Sequence, residues 1–436
     1  MRINSTFKAT SYKIFVVFII CLIYFFFTDT TILAASGWVN KGDLNVQRYL
    51  HTATVLSDGK VLVVCGGRNG TPIRQSEIFD PTTGNWTNSN NTLLSRRYHT
   101  ADLVRVSEIT EETNVLIAGG IGGTEITNTA ELYNPLSNTW KYASNMKNAR
   151  LFHASSSLND GRILVTAGAA TGGFIKEKHS STEIYDPISN TWTLKAPLGT
   201  ARAYHEQVTF KDAQGNTKVM VIGGIDTNGN SEANALATTE IYDSYTNTWS
   251  YGPNMNFKRY DFLAITLPDG RVLVVGGNIN NDVTSEVYNP NDNSWTVYSA
   301  SKAFRYGGAI ALVGSGSSSN VLASGGNTPD ATAQLFNPST NTWGITDSMS
   351  KPRSRFMLTT LKNGSALAIA GASENTLTNT SEVYTPDQII VPTPTLVPIP
   401  SVSPTPEPFL DLPWDYRSQG SSFEQVALNP ESWFDT

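Results

Sequence analysis

The sequence is poor in cysteine and in charge. Its 436 residues contain two cysteines, Cys21 in an N-terminal apolar run and Cys65 in a later apolar run, so no disulfide framework is predicted. Charged residues make up 16% of the chain, the formal net charge is −6, and Lys and Arg form no cluster. Binding to phosphate backbones needs such a basic surface, so nucleic acid is not expected as a partner.

Motifs that carry common catalytic chemistry are also missing. The sequence has no His-Glu-x-x-His zinc motif, no Gly-x-Ser-x-Gly nucleophile turn and no phosphate-binding glycine loop. Its acidic residues recur at regular positions and in turns, so no isolated carboxylate pair indicates hydrolysis. No cofactor is predicted from the sequence.

The chain contains a repeat of about 50 residues, marked by tryptophan and arginine ten residues apart. The seven pairs are Trp38/Arg48, Trp86/Arg96, Trp140/Arg150, Trp192/Arg202, Trp249/Arg259, Trp295/Arg305 and Trp343/Arg353. Repeats of this length are typical of solenoids, propellers and similar arrays.

An acidic position and a turn complete the outer part of each unit. Nine residues before each Trp from Trp86 onward stands Glu or Gln, and a seventh copy, Glu382, has no Trp after it. An aromatic residue follows two positions later, usually succeeded by Asp or Asn and then Pro, as in Asp80-Pro81. This is turn chemistry, so the segment from Glu to Trp is predicted to be strand, turn, strand.

The inner part of each unit holds a short apolar run closed by two small residues. The first run, Val61 to Cys65, ends in Gly66-Gly67, and four runs are opened by Asp-Gly or Asn-Gly, as at Asp58-Gly59. Such runs are typical of strands buried on both faces, and the dipeptides are strong hairpin signals. Each unit is therefore predicted to be a four-stranded antiparallel sheet that begins after the Arg.

In the order Arg, His, double glycine, Glu-x-Tyr-Asp-Pro and Trp, the units resemble the kelch repeat, a β-propeller blade. The resemblance covers Gly37 to Pro386 and implies an all-β, closed, seven-bladed β-propeller. The seventh blade has no Trp of its own, because Val391 stands where one is expected. The N-terminal strand that carries Trp38 is expected to complete that blade and close the ring.

The two ends of the chain differ from the repeat in composition. Residues 1–36 carry basic residues, an uncharged apolar run and Ala34-Ala35-Ser36, which predicts a secretory signal peptide. An uncleaved N-terminal membrane anchor is the alternative, and both place the propeller outside the cell or on its surface. Residues 387–408 are rich in Pro and Thr, which predicts a semi-rigid linker. Residues 409–436 form a short aromatic segment, interpreted as a docking segment or the start of another module.

Because Arg, Glu and Trp recur in every unit, they are expected to serve the scaffold, with each Arg in a partly buried pair with a Glu. Function is expected where the repeat is broken. Two positions after the Arg stand Leu50, Tyr98, Phe152, Tyr204, Asp261, Gly307 and Arg355, a set with no common chemistry. In kelch domains that bind peptides, similar positions face the mouth of the propeller. The resemblance therefore suggests five binding candidates: Arg97, Tyr98, Tyr204, Asp261 and Arg355.

Histidines stand three residues after four of the arginines, at His51, His99, His153 and His205. A shared position favours packing near the axis. The alternative is a copper site, because kelch-type copper radical oxidases such as galactose oxidase resemble this chain in carrying Arg-x-Tyr-His. Tyr98, His99, Tyr204 and His205 would then be candidate ligands. Those enzymes cross-link a tyrosine to a cysteine outside the apolar strand, whereas Cys65 is predicted to lie inside it.

The favoured hypothesis is an exported binding module for a protein or glycan ligand. The first alternative is an enzyme with a site at the propeller mouth, and the second is a structural spacer of a surface protein. Nothing in the sequence indicates an oligomer. The longest insertions, 169–182 and 225–239, follow two of the small-residue pairs, and their loops at 172–176 and 228–231 are further binding candidates.

Overall fold

The structure is a computed structural model, and it describes residues 37–170, 177–226, 234–277, 284–299, 307–326, 330–373 and 376–386. The chain divides into two units, residues 1–388 and 389–436, and all described residues belong to the first. The predicted leader, linker and C-terminal segment, and the loops at 172–176 and 228–231, lie outside the described residues. Along the described ranges, no helix combines the length and apolar character required to cross a membrane.

Seven four-stranded antiparallel sheets form the fold, as the repeat predicts. From innermost to outermost strand, blade 1 is Thr52–Val55, Val61–Val64, Ser76–Asp80 and Asn85–Ser89; blade 2 is Thr100–Arg105, Thr113–Ala118, Ala130–Asn134 and Thr139–Tyr142. Blade 3 is Ala154–Ser157, Ile163–Thr166, Thr182–Asp186 and Thr191–Lys195; blade 4 is Glu206–Lys211, Thr217–Ile222, Thr239–Asp243 and Thr248–Tyr251. Blade 5 is Leu263–Thr266, Val272–Val275, Thr284–Asn289 and Ser294–Ser299; blade 6 is Ala309–Val313, Asn320–Ser324, Ala333–Asn337 and Thr342–Thr346. Blade 7 is Met357–Thr360, Ala366–Ile369, Ser381–Thr385 and Gly37–Lys41.

The seven innermost strands contact one another in a closed ring, from blade 1 round to blade 7 and back. The second strands are buried between blades over most of their length, and runs such as Val61–Val64 are buried at every residue because each is apolar and packs on both faces. Three short two-stranded hairpins extend from blades 1, 2 and 7, at Gly67–Arg68 with Thr71–Pro72, Ile121–Gly122 with Glu125–Ile126, and Ala372–Ser373 with Thr376–Leu377.

Each described arginine of the repeat is joined to the glutamate of its own blade. The Arg48 guanidinium lies 2.6 Å from Glu77 Oε1, and five further pairs have N–O distances of 2.6–3.2 Å. Arg48 also donates to the carbonyls of Cys65 and Gln75, while Glu77 accepts from the backbone N–H groups of Asn45 and Val46. The pairs are buried rather than partly buried, and each ties the loop entering a blade to its second and third strands.

The structure corrects the predicted register of the small-residue pairs. The equivalent positions are Cys65-Gly66, Gly119-Gly120, Ala167-Gly168, Gly223-Gly224, Gly276-Gly277, Gly325-Gly326 and Ala370-Gly371, all with positive φ. The prediction that Cys65 lies inside the strand is therefore wrong, since the strand ends at Val64. The second residue is always glycine because a Cβ at Gly66 would lie 2.7 Å from the Tyr49 carbonyl oxygen, and the Gly66 N–H donates to the Arg96 carbonyl of the next blade.

The N-terminal strand closes the ring, as predicted. Trp38 pairs with Tyr384 across blade 7, the ring centroids are 5.3 Å apart, and the indole N–H donates to the Asp347 carbonyl of blade 6. The indole N–H of each of the other six repeat tryptophans also donates to the preceding blade, either to a backbone carbonyl or to a serine hydroxyl. These residues are Trp86, Trp140, Trp192, Trp249, Trp295 and Trp343.

Replacing Trp38 with alanine should lower the free energy of unfolding by about 2 kcal/mol, because a half-buried indole and its bond to blade 6 are lost. Chemical denaturation followed by circular dichroism measures the change. Val39→Ala, at an exposed neighbour on the same strand, is the control and should leave stability nearly unchanged. Equal effects of the two substitutions would contradict the role of Trp38 in ring closure.

Candidate functional site

The seven variable residues two positions after the repeat arginines all line one cavity at the mouth of the propeller. Its volume is about 400 Å³. All seven residues have positive φ, between 50° and 79°. Four of their backbone N–H groups donate to the carbonyl of the equivalent residue in the preceding blade, as Leu50 does to Arg355 and Tyr204 to Phe152. The backbone therefore performs the structural task, and the side chains are free to vary.

One half of the cavity wall is aromatic. Phe152 of blade 3 lies between Tyr98 of blade 2 and Tyr204 of blade 4, with ring centroids 4.3 and 3.9 Å away. The other face of Tyr98 is approached by the Arg97 guanidinium at 5.6 Å. Burial raises the pKa of both tyrosines, so their phenols stay protonated. Phe152 and Tyr204 thus stack on each other, and Tyr98 packs against Phe152 at a tilt of 60°.

The other half of the wall carries charge. Asp261 of blade 5 and Arg355 of blade 7 line it, with Gly307 and Gly308 of blade 6 between them. Burial raises the pKa of Asp261 to about 6, although the charge of Arg355 acts in the opposite direction. Arg355 is exposed at the rim, and among the described residues it forms no ion pair. This half can therefore attract charged groups of a ligand.

The structure brings together four of the five predicted binding residues. Tyr98, Tyr204, Asp261 and Arg355 line the cavity, whereas Arg97 stands beside it and donates to the Tyr49 hydroxyl at 3.2 Å. Arg97 therefore supports Tyr98 from outside the cavity.

Of the four residues named for copper, Tyr98, His99 and Tyr204 line the cavity, but both histidines lie within hydrogen-bond distance of threonine hydroxyls. The Nε2 atoms of His99 and His205 lie 3.0 and 2.9 Å from the hydroxyls of Thr52 and Thr166, and His205 does not line the cavity. Within the described residues, no three His, Cys, Asp or Glu side chains are placed to share a metal ion. Cys65 is buried with a pKa raised to about 11, and its sulfur contacts Thr92. These residues do not fit a copper radical site.

Two ionisable lining residues were not predicted as candidates for binding or for copper, His51 and Glu206. Burial, reinforced by the charge of Asp261, raises the pKa of Glu206 to about 8. Burial together with the charge of Arg48 lowers the pKa of His51 to about 3. A signal for Glu206 was present: four positions after the arginine, the other blades carry Thr, Ala, Leu or Met.

Comparison with known proteins supports the repeat. The Kelch motif matches residues 50–91, 112–147 and 212–256. The chain is 30% identical to kelch repeat-containing protein kel-10 of Caenorhabditis elegans over 47% of its length and 34% of that protein. It is 24% identical to kelch-like protein 15 of Homo sapiens over 49% of its length and 35% of that protein. Beta-scruin of Limulus polyphemus is 26% identical over 46% of this chain and 22% of its own length. The chain thus spans about a third or less of these curated relatives.

Among solved structures, a fungal alcohol oxidase in complex with copper superposes with a TM-score of 0.62. The match covers 80% of this chain and 76% of that chain, at 16% sequence identity. At this identity the likeness shows a shared fold and no shared activity.

Proposed function

The chain is a seven-bladed propeller of kelch repeats, and from this premise we propose that it is an exported binding module whose mouth cavity takes a segment of a protein ligand. One observation carries the proposal: all seven residues of the variable position line one cavity, while the backbone at that position does the structural work. Variable side chains on a rigid frame are the usual arrangement for recognition.

The aromatic wall favours a protein segment over a glycan. Sugar rings bind by stacking on an open aromatic face, but one face of Phe152 is already stacked on Tyr204, and Tyr98 packs against the same ring at a tilt of 60°. The cavity is lined by apolar side chains such as Leu50, Leu263 and Met357 together with a few ionisable groups. A mainly apolar cavity with a few convergent polar groups suits a side chain inserted from a polypeptide.

Export rests on the composition of residues 1–36. N-terminal sequencing of protein recovered from the medium or from the membrane fraction tests it. A mature chain beginning close to Gly37 supports a cleaved signal peptide, and an intact Met1 in the membrane fraction supports an anchor. Recovery of intact chain from the cytoplasm would contradict export.

Replacing both Asp261 and Arg355 with glycine should weaken ligand binding without loss of stability. Glycine suits their positive φ angles of 50° and 51°, and Gly307 already occupies the same position in blade 6. The test pans a displayed library of random dodecapeptides against the full chain and measures Kd for the enriched peptides. The double variant should bind them at least tenfold more weakly, with an unchanged midpoint of chemical denaturation.

Two outcomes would contradict the proposal. One is a panning experiment that enriches no peptide above the background of the support. The other is a set of enriched peptides that bind the double variant as tightly as the native chain. A glycan array probed with both proteins tests the remaining ligand class, and array binding lost in the double variant would replace protein by glycan as the ligand.

A further inference from the structure

A polar contact recurs at three seams between neighbouring blades, with its threonine on the innermost strand in blades 1 and 2 and on the second strand in blade 3. The imidazole three residues after the arginine lies within hydrogen-bond distance of a threonine hydroxyl on the preceding blade. The Nε2–Oγ1 distances are 3.0 Å for His99–Thr52, 3.3 Å for His153–Thr100 and 2.9 Å for His205–Thr166. Three consecutive seams are therefore closed by a histidine and a hydroxyl group.

The contact is broken at the seam between blades 7 and 1. Blade 1 supplies His51, but blade 7 carries Met357 where the threonines stand in blades 1 and 2. Both ring nitrogens of His51 consequently lack a hydrogen-bond partner in the described part of the protein, although the side chain is only 3% exposed. His51 lines the mouth cavity, so its neutral imidazole has one donor and one acceptor available to a ligand there.

The contact is broken in the opposite sense at the seam between blades 4 and 5. Glu206 occupies the threonine position of blade 4, but blade 5 supplies Phe262 instead of histidine. Asp261 stands directly before Phe262 and also lines the cavity. Among the described residues, neither carboxyl forms an ion pair with a basic side chain. Two acidic groups thus line a mainly apolar cavity, and among the described lining residues only Arg355, whose charge acts on Asp261, opposes their charge.

We propose that the cavity recognises a basic side chain of the protein ligand, whose cationic head is held by Glu206 and Asp261 and donates to the free imidazole nitrogen of His51. This inference rests on the proposed function. The apolar wall, including Phe152, Leu263 and Met357, contacts the aliphatic stem of that side chain. The volume of about 400 Å³ also admits part of a flanking residue. The exposed Arg355 at the rim disfavours a second basic residue beside the first.

Ionisation of the carboxyls couples this binding to pH. Burial raises the pKa of Glu206 to about 8 and that of Asp261 to about 6, so in the empty cavity Glu206 holds a proton at neutral pH. A cationic head favours the ionised carboxylate, so binding releases this proton and affinity rises with pH. The other titratable or charged groups that line the same cavity are Tyr98, Tyr204, His51, His99 and Arg355. The histidines stay neutral and the tyrosines protonated in this range.

The test is isothermal titration of the full chain with acetyl-Gly-Arg-Gly-amide and with the same peptide carrying citrulline, the neutral isostere of arginine. At pH 8.5 the arginine peptide should bind at least tenfold more tightly than the citrulline peptide. Between pH 8.5 and pH 6.5 its affinity should fall by about 25-fold if Glu206 must lose its proton. Glu206→Gln and Asp261→Asn should each weaken arginine binding at least tenfold, and Glu206→Gln should also flatten the pH profile.

Glu108→Gln, at an exposed loop residue, is the matched control and should leave binding unchanged. His51→Phe copies the residue that blades 5 and 7 carry at this position, so it should fold normally and still weaken arginine binding. Equal affinity for the arginine and citrulline peptides would overturn the inference, as would unchanged binding by Glu206→Gln. If panned peptides bind the mouth but lack basic residues, the inference fails while the proposed function stands. If no peptide binds in a way that depends on the residues of the mouth cavity, the proposed function fails.

Discussion

Replacing Arg202 with methionine is expected to lower the free energy of unfolding by about 3–5 kcal/mol, because the change leaves a buried carboxylate without its cation. The Arg202 guanidinium donates to the carbonyls of Gly223 and Thr238 at 2.7 and 3.1 Å, and to Glu240 at 2.7 Å. Methionine fills a similar volume but supplies none of these bonds. Blade 4 would lose the connection between its entry loop and its two middle strands.

Chemical denaturation at pH 7, followed by circular dichroism, measures this effect. Arg162→Met is the matched control, since Arg162 pairs with Asp160 on the surface and its loss should cost no more than about 1 kcal/mol. Glu240→Gln should have an intermediate effect, because the amide oxygen can still accept from Arg202 and from the Thr200 N–H, while the amide nitrogen then meets the backbone N–H of Gly199. If Arg202→Met lowers the free energy of unfolding no more than Arg162→Met does, the buried ion pair does not contribute to stability as proposed.

Replacing Glu206 with glutamine is expected to have the opposite effect on stability. The pKa of Glu206 is raised in the folded protein from 4.5 to about 8, so folding favours the protonated acid. Its contribution to stability is fully present below pH 4.5 and is lost as the pH rises towards 8. Each unit of pKa difference corresponds to about 1.4 kcal/mol, so at pH 8.5 the native chain carries a penalty of several kcal/mol that glutamine avoids. The variant should therefore be more stable than the native chain, by about 2–4 kcal/mol at pH 8.5.

The gain should depend on pH. It should shrink as the pH is lowered and should be nearly absent at pH 4.5, where the native carboxyl is protonated. Denaturation of both proteins across this range provides the measurement, and Glu108→Gln at the surface serves as the control. A gain that does not change with pH would show that Glu206 is not the group responsible.

The scaffold could be predicted because the same sequence pattern recurs in seven units. Arg, Glu and Trp recur at fixed positions in the repeated units. These positions predicted the blade count, the closing role of Trp38 and the pairing of Arg48 with Glu77. The register of the small-residue pairs could not be predicted in the same way. Cys65 adopts a positive φ, which its residue type does not indicate. Only the approach of the Tyr49 carbonyl oxygen, which would lie 2.7 Å from a Cβ at Gly66, reveals which residue must be glycine.

The site was predictable only in part. The variable position after the repeat arginines predicted Tyr98, Tyr204, Asp261 and Arg355. A position at which the repeated units differ can be recognised from the sequence alone. Glu206 and His51 were not predicted as binding residues. Each is left without a seam contact because the neighbouring blade carries a different residue at the partner position, Phe262 for Glu206 and Met357 for His51. The match of Tyr98-His99 to copper oxidases could not be weighed from the sequence alone, since the contact of His99 with Thr52 is visible only in the structure.

The central claim is that repeated residues hold the propeller together while residues that break the repeat serve the ligand. The most direct test compares the unfolding free energies of Glu206→Gln and Glu240→Gln with that of the native chain at pH 8.5. Both substitutions replace a carboxyl in blade 4 with an amide. We expect the two changes in unfolding free energy to have opposite signs, with Glu240→Gln less stable and Glu206→Gln more stable than the native protein. Destabilisation by both substitutions would contradict the central claim, because Glu206 would then be part of the scaffold.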